Sequence, residues 1–453
     1  MIRLMVAAPA SGSGKTAVAC ALLRALKERG LNPCAFKCGP DYIDPMFHHA
    51  VLGVESRNLD LFLSDEAHAK ALFFHACRNH GAAVVEGAMG FYDGVGGTTD
   101  RASAWHVADT LNLPVLLVLP ARGASLTLAA TLRGLADFRK GSHIVGVVLN
   151  ECSPMLCRTL APALETETGI PVLGCLPHLD AARIESRHLG LLTAREIEDL
   201  DGRLAAVANA LEENVDMARL LTLFDGAVPA AEESAAPTAK RCRIAVARDE
   251  AFCFTYAETL ETFERLGAEP AFFSPLHDAV LPEDIGGLYL PGGYPELYAP
   301  RLAENEAMRR AIAAAVRGGL PTVAECGGFL YLGAELCDVT GTAYPMAGVL
   351  PGCAADAGKL VRFGYATLTA ETDSLLFRAG EAFPIHEFHH WDSTRSGDAF
   401  QLKKPVGGRT WRGGYGTETL YAAFPHLYFA GHPMLAERFI AAAAQYGEIH
   451  EIM

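Results

Sequence analysis

The chain has 453 residues and a formal net charge of -15, from 38 basic and 53 acidic side chains. That length exceeds one ordinary core, so two or three domains are expected, and the acidic balance argues against nucleic acid as the main partner. Half of the residues are hydrophobic and 20% are charged, as in a soluble globular protein. No apolar run reaches the roughly 18 residues that crossing a bilayer requires. Met1-Ile2-Arg3 leads directly into a strand pattern without the look of a signal peptide, and a cytoplasmic protein is expected. Its 12 cysteines then read as reduced thiols. Cys34/Cys38 and Cys152/Cys157 lack zinc-site spacing and a matching second pair.

In chain order, Ile2–Ala7 is an apolar run of strand type and Ala17–Lys27 has helical composition. Between them stands Ala8-Pro9-Ala10-Ser11-Gly12-Ser13-Gly14-Lys15-Thr16. A strand, a loop of small residues and a helix beginning at Lys-Thr make a phosphate cradle. Gly12, Ser13 and Gly14 bring backbone N–H groups close to an anion, Lys15 neutralises the terminal phosphates, and Thr16 holds Mg²⁺. Pro9 stands where the usual P-loop has its first glycine. Pro33–Cys38 reads as a second strand, followed by Gly39-Pro40-Asp41-Tyr42-Ile43-Asp44-Pro45. Open parallel sheets bind ligands beyond the carboxyl ends of strands. Lys37, Asp41 and Asp44 are therefore candidates for nucleotide, magnesium or an anionic substrate, against an ordinary Pro/Asp turn. The apolar strand starting at Ala82 ends in Glu86, the place of a Walker-B-type acid close to Thr16 and the metal. Gly90–Gly97 is expected to be a mobile glycine-rich loop suited to closing over a substrate.

Leu113–Leu119, Ile144–Asn150 and Val172–Pro177 are further strands. Strands separated by helical stretches make a doubly wound parallel α/β sheet. Asn150 stands where a nucleotide base is read, or is a turn residue. Residues 227–240 are rich in Ala and Pro and lack apolar periodicity, which marks a linker between domains at 1–226 and 241–453. A second α/β unit starts at Arg243–Ala247.

In that second unit, Gly287–Leu290 leads into Pro291-Gly292-Gly293-Tyr294-Pro295-Glu296. Gly292 and Gly293 after a strand can point N–H groups at a developing oxyanion. Cys326, between the strand at 321–325 and Gly327-Gly328, sits at a sharp strand-to-helix turn. Such a turn presents sulfur to solvent, and the helix N-terminus is expected to lower the thiol pKa. With an oxyanion loop upstream and His426 downstream, Cys326 reads as a nucleophile and His426 as its base, with His432 as the rival. For His386-Glu387-Phe388-His389-His390-Trp391 a structural or substrate-contact role is favoured over metal, because one strand points His389 and His390 to opposite faces.

Taken together, the motifs at 8–16, 37–45 and 86–94, with Leu-Pro-Gly-Gly-Tyr-Pro-Glu at 290–296, Ala-Glu-Cys-Gly-Gly at 324–328 and His-Glu-Phe-His at 386–389, resemble the cobyrinic acid a,c-diamide synthase family. The resemblance spans nearly the whole chain. It implies a dethiobiotin-synthetase-like P-loop domain that binds ATP and corrinoid, followed by a class I glutamine amidotransferase domain. The implied activity is amidation of the a and c carboxylates of cobyrinate with ATP and L-glutamine, through acyl phosphates, in vitamin B12 biosynthesis. Cys326 would attack the glutamine amide and His426 would activate it. Lys15 and Thr16 would bind ATP–Mg²⁺, with Glu86 and one of Asp41 or Asp44 as metal partners. Substrate contacts would come from Lys37, Asp41, Tyr42 and Asp93. Internal passage of ammonia from Cys326 to the P-loop is expected, and a homodimer is left open. The wider amidotransferase pattern His-Pro-Glu is here His426-Leu427-Tyr428, which implies a Cys–His dyad. Hydrogenobyrinate and nickel sirohydrochlorin are the alternative tetrapyrroles. A P-loop switch resembling MinD/ParA-type ATPases, or an amidotransferase with a dead synthetase half, is a more distant reading.

Overall fold

Strands covered by helices on both faces must be apolar throughout rather than alternating, and the strands at the front of this chain have that character. The computed structural model describes residues 1–53, 56–180, 186–187, 190–191, 197–227 and 238–451. It divides into two units, Met1–Ser234 and Ala235–Met453. The linker expected at 227–240 falls mostly outside the described residues.

The first unit runs β1 (Ile2–Ala7), α1 (Lys15–Glu28), β2 (Pro33–Cys38), α2 (Ile43–Leu52), β3 (Ser56–Leu59), α3 (Glu66–Cys77), β4 (Ala82–Glu86), α4 (Ala104–Leu111) and β5 (Val115–Pro120). It continues with α5 (Thr127–Asp137), β6 (Ile144–Asn150), α6 (Pro154–Thr168), β7 (Val172–Leu176), a short β8–β9 pair (Ser186–Arg187, Gly190–Leu191), α7 (Leu200–Asn214) and α8 (Met217–Phe224). The seven-stranded sheet has the order β3-β2-β4-β1-β5-β6-β7, and its ladders are parallel. β1 therefore lies between β4 and β5, at the point where the winding reverses and ligands bind. Leu4, Val6, Ala35 and Val84 pack on one face with α1, α7 and α8; Met5, Phe36 and Val85 pack on the other with α3 to α6. Val6 and Lys37 both register with Glu86. Lys37 follows Ala35, and Glu86 follows Val84, by one strand period. Their side chains therefore share the α1 face and reach its edge at the carboxyl end of the sheet.

The second unit has a six-stranded sheet formed by β10 (Cys242–Ala247), β11 (Ala268–Phe273), β12 (Gly287–Leu290), β13 (Thr322–Glu325), β22 (Tyr415–Gly416) and β23 (Leu420–Ala423). Its order is β11-β10-β12-β13-β23-β22, with β22 antiparallel to β23. Helices α9 (Ala257–Arg265), α10 (Ala299–Glu304), α11 (Glu306–Arg317), α12 (Gly327–Leu332) and α13 (Pro433–Glu451) connect or cover it. Inserted before β22 are two four-stranded sheets. One joins β14 (Glu335–Cys337), β15 (Ala343–Pro345), β16 (Cys353–Asp356) and β19 (Trp391–Ser393). The other, antiparallel, joins β17 (Arg362–Ala370), β18 (Ala382–His389), β20 (Phe400–Lys403) and β21 (Thr410–Gly413). Leu368, Ile385 and Leu402 of the antiparallel sheet share one core with Phe263 of α9 and Phe439 of α13.

Candidate active sites

The first site grows out of the β1–α1 connection. α1 begins at Lys15, two residues before the helical stretch read from composition, and Gly14 precedes it at φ 91°. That left-handed geometry suits glycine. Space forbids a side chain as well, since a Cβ on Gly14 would stand 2.3 Å from Asn150 Nδ2. Asn150 donates to Ser13 O at 2.9 Å, so in this structure its amide braces the loop. Gly14→Ala should lose about 1–2 kcal/mol to the backbone alone and weaken nucleotide binding by roughly tenfold or more, read by thermal unfolding and titration calorimetry.

Thr16 Oγ1 donates to Glu86 Oε1 at 2.6 Å, and Lys37 Nζ donates to the same oxygen at 2.9 Å. Lys37 also pairs with Asp44, while Asp41 Oδ2 lies 3.9 Å from its Nζ. Asp41 Oδ1 instead accepts from Ile43 N at 2.8 Å and Asp44 N at 3.1 Å, capping α2. Of the two aspartates, Asp44 thus joins Thr16 and Glu86. Tyr42 stands just before α2. Lys15 Nζ donates to Ala10 O at 3.1 Å and Met89 O at 2.6 Å. Asp93 Oδ2 accepts from Gly90 N at 2.9 Å. The loop expected to be mobile is tied down at its base, with Phe91 buried and Tyr92 donating to Leu135 O at 2.7 Å.

His48, which the sequence did not single out, completes this site, with Ser56 behind it. His48 on α2 is buried; its Nε2 lies 3.3 Å from Glu86 Oε2 and its Nδ1 3.0 Å from Ser56 Oγ. Burial opposes ionisation of Glu86, but Lys37, His48 and Thr16 outweigh it and hold its carboxyl below the usual range. Burial also opposes the Lys37 charge, and Asp44, Glu86 and Asp41 override it. Asp44 is pushed up by burial and by Asp41 and Glu86. Its Oδ1 is buried without a hydrogen-bond partner. Oxygen donors from Thr16, Glu86 and Asp44, the last with its Oδ1 unpartnered, fit a small hard cation such as Mg²⁺.

The second site forms where β13 turns into α12. Cys326 has φ 46° and ψ -102°, a strained conformation costing about 1–3 kcal/mol. Its N–H donates to Ala423 O at 2.8 Å. The residue is only 7% exposed, and burial, with Glu296 adding to it, pushes the thiol up. This corrects the expectation of a solvent-facing thiol lowered by a helix: α12 has six residues, and its dipole loses to desolvation. A thiol held up in this way needs a base beside it.

β13 pairs with β23 in parallel, Glu325 opposite Ala423, and this delivers His426 three residues later. A Cβ on Gly292 would stand 2.5 Å from His426 Cε1 and 3.4 Å from Nε2. A Cβ on Gly327 would stand 3.0 Å from Gly293 N. The histidine, Gly292, Gly293 and the Cys-Gly-Gly turn therefore converge. His432 instead packs its ring against Phe383. His386 exchanges backbone hydrogen bonds with His426, and burial lowers its imidazole to about 3. His389 stacks on Phe424 at 3.7 Å. Glu296, buried and pushed up to about 8 by desolvation, is a further carboxyl near the sulfur that sequence reading passed over.

Fold and sites define a class: a P-loop nucleotide-binding domain joined to a glutamine amidotransferase domain. Residues 4–192 match the CobQ/CobB/MinD/ParA nucleotide binding domain family and residues 243–434 the CobB/CobQ-like glutamine amidotransferase domain family. The chain is 39% identical over 451 residues to the cobyrinate a,c-diamide synthase of Synechococcus sp., covering 98% of each. It is 39% identical over 448 residues to that of Salmonella typhimurium, covering 97% of each, and 36% identical over 447 residues to that of Caldanaerobacter subterraneus, covering 98% of each. The chain belongs to the cobyrinate a,c-diamide synthase family, and it is a ligase. Among the described residues, no helix is long and apolar enough to cross a membrane.

Proposed function

We propose that this chain amidates the a and c carboxylates of cobyrinate in cobalamin biosynthesis, using ATP and glutamine. The observation that supports it most is one chain carrying two sites of complementary chemistry: a lysine-and-oxygen phosphate cradle, and a strained cysteine turn and a buried histidine gathered at the Gly292-Gly293 loop. A carboxylate is a poor acyl donor at neutral pH. Its oxygen therefore attacks the γ-phosphorus of ATP, ADP leaves, and an acyl phosphate forms. N–H groups of Gly12 to Gly14 and the Lys15 ammonium hold the phosphates. Thr16, Glu86 and Asp44 would hold Mg²⁺, whose charge offsets that spreading over the transferred group. Asp41, Tyr42 and Asp93 contact the substrate, whereas Lys37, expected among them, is buried and paired with Asp44 and Glu86 behind the site.

At the second site, His426 takes the Cys326 proton and the sulfur attacks the amide carbon of glutamine. N–H groups at Gly292 and Gly293 receive the oxyanion. Ammonia leaves with the proton from His426, and water hydrolyses the thioester to glutamate. The ammonia displaces phosphate from the acyl phosphate, giving the amide.

Burial, then Lys37, lowers the Lys15 ammonium to about 8. Phosphate binds its protonated form. ATP affinity should therefore fall as pH rises above about 8, by up to about tenfold per unit, with proton uptake on binding. Calorimetry in buffers of different ionisation enthalpy reads both.

The purified chain, supplied with ATP and glutamine, is tested against cobyrinate, hydrogenobyrinate and nickel sirohydrochlorin, with products weighed by mass spectrometry. One and then two amide additions to cobyrinate are expected. Turnover restricted to another tetrapyrrole overturns the substrate, and absence of glutaminase overturns the reaction.

A further inference from the structure

The two sides of the His426 ring face different groups. Cε1 and Nε2 are nearest to Gly292 of the oxyanion loop, whereas Nδ1 lies 3.7 Å from Glu325 Oε2. Glu325 directly precedes Cys326 and is 1% exposed. Its carboxylate is fixed from two directions: Oε1 accepts from Leu427 N at 3.0 Å, and Oε2 accepts from Tyr289 OH at 3.0 Å. The backbone of Glu325 is held in turn by its pairing with Ala423. One short strand thus ends in the sulfur and also places a carboxylate behind the imidazole. A carboxylate at that side favours the tautomer with its proton on Nδ1, leaving Nε2 to receive the thiol proton, and stabilises the imidazolium that results.

We propose that Glu325 is the positioning residue for His426, making the glutamine site a Cys–His–Glu arrangement whose acid comes from the residue before the nucleophile. The acid two residues after the histidine in the wider amidotransferase pattern is replaced here by Tyr428. A full dyad without an acid, as His426-Leu427-Tyr428 implies by itself, is then not needed. The inference rests on the assignment of Cys326 and His426 above.

Full-length Glu325→Gln and Glu325→Asp are compared with wild type, with Cys326→Ala as control, in glutamine hydrolysis and in amidation driven by ammonium chloride. Glu325→Gln should lower kcat for glutamine roughly 10²- to 10⁴-fold while KM and ammonia-driven turnover stay within about threefold. Glu325→Asp should recover part of kcat. An unchanged kcat in Glu325→Gln overturns the proposal. Loss of ammonia-driven turnover in both variants also overturns it, since the carboxylate would then be a structural brace. Glutamine hydrolysis surviving in Cys326→Ala would instead overturn the nucleophile assignment beneath it.

Discussion

Cys326→Ser should abolish glutamine-dependent amidation, with a fall of roughly 10⁴-fold or more, and leave amidation by added ammonia within about threefold of wild type. Serine keeps the strained turn and nearly the same volume but replaces a thiol by a far weaker acid. In the proposed mechanism His426 activates the thiol, since sulfur, even pushed up by burial, gives its proton up more readily than a hydroxyl. Nothing at the P-loop changes, so the proposed acyl phosphate should still form and meet ammonia from solution. The measurement is the rate of amide product with each nitrogen source. Loss of both would show that Cys326 serves the whole fold rather than nitrogen supply.

The second large effect has the opposite signature. Lys15→Ala should lower amidation about 10³-fold with glutamine and with ammonia alike. The ammonium is held between Ala10 O and Met89 O, and among the described residues Lys37 is the other lysine of this cluster. Lys37 cannot substitute, because its charge is committed to Asp44 and Glu86. Retained ammonia-driven turnover in Lys15→Ala would remove the P-loop from the acyl-activation step.

The apolar strands were legible because they are buried on both faces: β1, β2, β6 and β12 have the ends that the sequence suggests. The strand read at Leu113–Leu119 begins two residues later, at Val115 after Pro114, and β7 ends before Pro177. β3, Ser-Arg-Asn-Leu, was invisible. Its polar residues are spent on the site, Ser56 on His48 and Asn58 on the carbonyls of Gly39 and Asp41, so it has no apolar signature. Apart from the strand read around His386–His389, the strands between 353 and 413 escaped for another reason: they are half-exposed, as β17 and β20 are, and so carry no continuous apolar run. Cys326, His426 and the glycines between them were readable as motifs. The state of the thiol was not, because desolvation depends on everything packed around it. Glu325 was in plain view beside Cys326, but only the pairing of β13 with β23 shows that it faces the histidine.

Lys37 and Glu86 occupy one cross-strand row with Val6, and that row has a consequence for how this protein can evolve. Exchanging one aliphatic side chain for another within β2 or β4 changes packing slightly and leaves the row intact. Deleting a single residue from either strand would reverse the facing of everything beyond it. The lysine or the glutamate would then be driven among Met5, Phe36 and Val85, where neither has a counter-charge. Chain length in these two strands is therefore the tightly constrained property, and their aliphatic spelling the loose one.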